Sequence, residues 1–84
     1  MKTIYQLQVG KQTFFAINIQ EEGVSVVFQT LESAIRGTEE PFGILTDDGE
    51  ISKDGEILGS VDGEKEIDKE LIRKVAKMIG EEVE

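Results

Sequence analysis

Ile4-Tyr5-Gln6-Leu7-Gln8-Val9-Gly10-Lys11-Gln12-Thr13-Phe14-Phe15-Ala16-Ile17-Asn18-Ile19 is the stretch on which the fold turns. Lys2 to Val9 alternates, with Tyr5, Leu7 and Val9 on one side, and Gln12 to Ile19 alternates, with Phe15, Ile17 and Ile19 on one side. A period of two marks strands. Between them, Val9-Gly10-Lys11-Gln12 puts glycine first in a two-residue turn, the type II′ hairpin arrangement. The two signals conflict. A two-residue loop sets Leu7 opposite Phe14 and Tyr5 opposite Ala16. Matching the apolar sides sets Leu7 opposite Phe15 and Tyr5 opposite Ile17, and needs a bulge near Lys11 to Gln12. A one-residue slip exchanges the two faces of a strand. Misplacing three large side chains forfeits several times the roughly 1 kcal/mol that turn propensity commands, so the bulged, apolar-matched register is favoured. A sheet covered on both faces would dissolve the conflict.

Outward from this hairpin, Gln20-Glu21-Glu22-Gly23 suits a type I turn closed by a left-handed residue. Pairing across it sets Val24 opposite Ile19, Val26 opposite Ile17 and Phe28 opposite Phe15 in a third strand, Val24 to Gln29. Thr30 caps a helix of one or two turns carrying Leu31, Ala34 and Ile35, and Gly37 stops it. Pro41 keeps Thr38 to Phe42 in loop. Two more strands are expected at about 43 to 47 and 56 to 61, while Glu50 to Lys53 reads either as a short strand or as part of an irregular loop. The C-terminal helix is the clearest element. Ile67, Leu71, Ile72, Val75, Ala76, Met78 and Ile79 form a wide apolar stripe, Asp68 caps its start and Gly80 ends it. The expected fold is α+β: a four- to five-stranded, mainly antiparallel meander, a short helix after strand three and an amphipathic C-terminal helix packed on one face. Residues 1–80 form a single domain, and 81–84 a frayed acidic tail.

Eighty-four residues supply one modest core. No cysteine is present, which removes disulfides, thiolate metal sites and cysteine nucleophiles together. The start of the chain alternates where a signal peptide is continuously apolar, and no apolar run approaches the roughly 18 residues that span a bilayer. A cytoplasmic protein is expected. Histidine and tryptophan are also absent and Asn18 is the sole asparagine. That profile resembles hyperthermophile usage, although a chain this short can lack uncommon residues by chance.

The net charge of -9 is not evenly spread. Residues 1 to 38 and 69 to 84 are each neutral, so the whole excess lies between Glu39 and Asp68, where eleven carboxylates face only Lys53 and Lys65. Solubility alone accounts for net charge, but not for its clustering, which adds self-repulsion. The functional reading is a small acidic interaction or regulatory module whose residues 39–68 engage a basic protein surface. Direct nucleic-acid binding is disfavoured by the sign of the charge, although an acidic face can imitate a phosphate track toward a nucleic-acid-binding protein.

Asp-Gly-Glu recurs at Asp48-Gly49-Glu50, Asp54-Gly55-Glu56 and Asp62-Gly63-Glu64. Asp-Gly is a tight-turn dipeptide, so three copies read as three chain reversals. The alternative is a calcium-type site, with Asp47, Asp48, Glu50 and Asp54 as ligands. The EF-hand register fails, because Val61 stands where a bidentate glutamate is required and no strong helix precedes the loop.

Catalysis is not expected. Histidine and cysteine are missing, Ser25, Ser33, Ser52 and Ser60 have no evident activating partner, and a carboxylate pair needs a cleft that a small domain rarely builds. No catalytic, cofactor-binding or metal residue is therefore assigned. Phe14 and Ala16 point away from the helix-covered face in the favoured register, and would form a second contact surface if exposed. An uncovered sheet face or a free edge strand would also permit a homodimer.

Overall fold

A computed structural model of the chain describes residues 3–19, 24–37 and 40–81. Its elements are β1 (Ile4–Val9), β2 (Gln12–Ile19), β3 (Val24–Phe28), α1 (Leu31–Arg36), β4 (Gly43–Leu45), β5 (Glu50–Lys53), β6 (Glu56–Ser60), β7 (Gly63–Glu66) and α2 (Lys69–Met78). Both helices and the first three strands lie where the periodicity puts them. The expectation of a four- to five-stranded meander is corrected, because the strands form one seven-stranded antiparallel sheet of order β6-β5-β4-β3-β2-β1-β7, curled into a half-barrel, and the protein is mostly β.

The first hairpin takes the register that the turn dictates. Val9 stands opposite Gln12, Leu7 opposite Phe14 and Tyr5 opposite Ala16 across a two-residue loop, with Gly10 at φ 61°. The favoured bulge is not formed. The reason is that apolar cover exists on both sides of the sheet. On the outer side Ala34 and Ile35 of α1 and Ile72 and Ala76 of α2 close over Ile4, Val26 and Phe28, with Ile67, Phe15 and Ile17 in the same cluster. On the inner side of the curl Leu7, Phe14, Ala16, Val27 and Ile51 form a second core, joined by Tyr5, Val9 and Phe42. Neither apolar side has to be sacrificed, so the turn decides. Phe14 is only 5% exposed and stacks on Phe42 with ring centroids 5.2 Å apart. Phe14 and Ala16 are thus interior, so the exposure that a second contact surface would require is not met.

The curl is closed by residues 56–66. β6 pairs with β5 at one end of the strand order and β7 pairs with β1 at the other, yet only Val61 and Asp62 lie between them. The Val61 N–H donates to the Gly49 carbonyl at 2.8 Å and the Asp62 N–H to the Gln8 carbonyl at 2.7 Å, so the crossover is tied to both sides. The Asp62 carboxylate also accepts the Gly10 N–H at 2.9 Å, fixing the first hairpin turn to the crossover. At Gly59 a Cβ would lie 2.9 Å from Cγ1 of Val9, which shows how closely β6 passes over the end of β1. β7 itself has no apolar residue, and is a strand because β1 offers it an otherwise unpaired row of backbone groups.

α1 is capped by Thr30, whose hydroxyl oxygen accepts the Ser33 N–H, and ends at Gly37. α2 is capped by Asp68, whose carboxylate accepts the Glu70 N–H at 2.9 Å. Its buried stripe is narrower than the periodicity implies: Ile72 and Ala76 are buried, whereas Leu71 and Met78 are exposed. After it, the Glu81 N–H donates to the Ala76 carbonyl at 2.8 Å and the Glu81 carboxylate lies 3.8 Å from Nε of Arg36. Residues 82–84 fall outside the described residues, as do 20–23, where the sequence predicts a turn, and Glu39.

Candidate interaction surface

Two of the three Asp-Gly-Glu repeats are chain reversals and the third is not. Asp54 and Gly55 both take positive φ, 52° and 86°, which is the type I′ pattern joining β5 to β6. Before β5, the Gly49 N–H donates to the Thr46 carbonyl at 3.1 Å, and the Thr46 N–H donates to the Glu50 carbonyl at 2.8 Å. The Thr46 hydroxyl oxygen accepts the Glu50 N–H at 3.1 Å, completing a three-residue loop. Asp62 instead lies in the crossover from β6 to β7, and Gly63 begins β7. Asp62 and Asp68 are therefore engaged with backbone N–H groups, and their negative charge serves the fold as well as the surface.

The four carboxylates considered as cation ligands are not brought together. Asp47 and Asp48 sit in the loop before β5 and Asp54 in the loop after it. A strand of that length spans about 13 Å, whereas calcium ligands lie about 2.3–2.6 Å from the ion. Among the described residues no three acidic side chains gather in a metal-binding group.

The wider acidic segment divides in two. Glu40, Asp47, Asp48, Glu50, Asp54 and Glu56 surround β4, β5 and β6, while Glu64 and Glu66 ride on β7 beside β1. Among the described residues the carboxylates do not converge on one concavity. Lys65 lies between Glu64 and Glu66 in the chain, and the Lys53 ammonium lies 4.4 Å from the centre of the Phe42 ring, which holds this cation on the rim of the inner core.

Registers on β4 to β6 reveal a feature that charge does not. Val26 belongs to the helix-covered core and stands opposite Ile44, Ile44 opposite Ser52, and Ser52 opposite Ile57. Directly opposed residues share a face, so Ile44, Ser52 and Ile57 form a row on the outer side of the sheet. A register shift after Ile51 leaves Leu58 as an extra residue beside Ile57, a β-bulge. No β4, β5 or β6 residue belongs to the helix-covered core among the described residues, and Ile44, Ile57 and Leu58 remain 47%, 52% and 48% exposed. Next to the row is a shallow depression of about 370 Å³, whose lining includes Pro41, Ile44 and Ser52 as well as the acidic Glu40 and Asp54. The sheet's outer face thus has a covered half, on β1 to β3, and a bare half, on β4 to β6.

Ile44, Ile57 and Leu58 are not singled out by the sequence as a surface. The short apolar pairs Ile44-Leu45 and Ile57-Leu58 are visible in it, but the inward and outward members cannot be assigned without the bulge. Comparison of the chain with protein-family models, curated proteins and solved structures gives no match. Among the described residues no helix is long and apolar enough to cross a membrane.

Proposed function

We propose that this protein is a small acidic interaction module, an accessory or regulatory partner that engages a basic protein surface through the part of residues 39–68 that forms β4 to β6. The observation that carries the reading is a coincidence in space: the bare half of the sheet's outer face is the half bordered by Glu40, Glu50 and Asp54. Among the described residues no charged or polar side chain is buried, so these carboxylates are free to act on solvent and on a partner. Opposite charges across such a surface speed association and reject partners of the wrong sign.

Titration of the ¹⁵N-labelled chain with a decalysine peptide tests the reading. Amides of residues 40–58 shift selectively at low ionic strength, and the shifts fade as salt shortens the screening length from about 30 Å at 0.01 M to about 8 Å at 0.15 M. Absence of any shift there, or shifts that survive salt unchanged, removes the electrostatic basis of the proposal.

A further inference from the structure

Resting on that reading, the geometry points to a specific occupant: we infer that the bare half of the outer face receives a cationic amphipathic helix from a partner, laid along β4 to β6 as a third helix of the layer that α1 and α2 begin. Shape comes first. In the row Ile44-Ser52-Ile57 a small side chain sits between two exposed branched ones, making a trough whose walls stand on β4 and β6. Two strand spacings separate those walls by about 10 Å, and a helix with its side chains is about 10–12 Å across. One helix covers the row.

A strand is the weaker alternative occupant. β6 is the outermost strand at this end of the sheet, but the extra residue at Leu58 breaks the regular spacing of its backbone groups, as bulges do at guarded edges. A peptide adding to that edge loses register at its centre. The face beside it has no such defect.

Charge gives the occupant its second property. Glu40 and Asp54 line the adjoining depression, and Glu50 precedes Ser52 by two residues on the same face of β5, so a helix whose apolar stripe meets Ile44, Ile57 and Leu58 brings the residues beside that stripe near carboxylates. Lysine or arginine on those flanks is attracted there, and aspartate or glutamate is repelled.

Three synthetic peptides of equal positive charge separate the possibilities by titration into the labelled full chain. The first is an 18-residue leucine–lysine peptide with helical periodicity, the second has the same composition with strict alternation, and the third is oligolysine. The helical peptide binds about tenfold or more tighter than both controls, gains helical circular dichroism on binding, and shifts amides at Ile44, Ser52, Ile57 and Leu58. Ile44→Ser and Ile57→Ser each weaken it about tenfold while leaving the melting curve within a few degrees, because both side chains are exposed. Equal binding of oligolysine and the helical peptide overturns the helix while leaving the acidic-module reading in place. Tighter binding of the alternating peptide overturns it in favour of strand addition. Failure of all three peptides to shift residues 40–58 overturns both.

Discussion

Replacing Gly59 with alanine tests the closure of the half-barrel, where β6 passes over the end of β1. The new methyl carbon would stand 2.9 Å from Cγ1 of Val9, whereas carbon atoms pack comfortably at about 3.5–4.0 Å, so the strands or the valine must yield by roughly 0.6–1.1 Å. Valine is stiff about χ1 and cannot simply swing aside. Overpacking of this kind costs about 1–3 kcal/mol. Loss of glycine's freedom in the unfolded chain returns about 0.4–1 kcal/mol, since Gly59 is not among the glycines with positive φ. The expected net loss is about 1–2 kcal/mol, and each kcal/mol lowers the melting temperature by about 4–8 °C in a domain of this size.

A second substitution isolates the contact. Val9→Ala removes Cγ1 and costs about 1 kcal/mol by itself, because Val9 is only partly buried against the inner core. In that background Gly59→Ala has nothing to strike and becomes neutral or slightly stabilising. The double-mutant cycle therefore shows a favourable coupling of about 1–3 kcal/mol, measured by urea unfolding followed with far-ultraviolet circular dichroism. Additivity within about 0.5 kcal/mol would refute the reasoning, since it would mean that β6 does not pass over β1.

Asp62→Ala should destabilise the protein by about 1 kcal/mol through loss of the hydrogen bond to the Gly10 N–H, with Asp48→Ala as a control that changes stability by less than about 0.5 kcal/mol; equal effects in urea melts would deny Asp62 its role in the crossover. Calcium titrated to millimolar levels should leave the amides of residues 46–56 without selective shifts and the melting temperature unchanged, because β5 holds its two flanking loops apart; saturable shifts confined to those residues would show that the loops gather after all.

The elements with a strong period were legible. β1 and β2 alternate over five or more residues, β3 is a short apolar-rich run, and α2 has a helical stripe with a cap at each end. The register of the first hairpin is not legible from alternation alone, because matching Tyr5, Leu7 and Val9 to Phe15, Ile17 and Ile19 assumes that only one face is covered. A signal against that assumption stood in the chain. Val26-Val27-Phe28 is a continuous buried run, which is the pattern of a strand enclosed on both sides, whereas a half-exposed strand alternates. β7 was illegible for the opposite reason: Gly63-Glu64-Lys65-Glu66 has no apolar residue, and becomes a strand only through the hydrogen bonds that β1 offers. Of the surface, the clustering of carboxylates was legible and its division was not, since the crossover at Val61-Asp62 carries Glu64 and Glu66 to the other end of the strand order. The trough was hidden by the bulge, which no periodicity announces.

The two ends of the sheet bear on how the bare half is to be understood. At the β7 end, residues 63–66 are all exposed and carry Glu64, Lys65 and Glu66, the usual dress of an edge strand that must not stick. At the β6 end, the same need for solubility is met beside three large apolar side chains, where threonine would keep the strand propensity and remove the stickiness. Solubility pressure alone does not produce both ends. The acidic border resolves the tension if it acts as a filter. A second copy of this chain laid face to face over the trough would bring Glu40, Glu50 and Asp54 against their own counterparts, and the net charge of -9 on each molecule opposes the approach. A cationic partner meets the reverse. On the proposed reading, carboxylates that oppose the approach of a second copy would lower the barrier for a basic amphipathic surface, so the exposed apolar row would be open to one sign of charge.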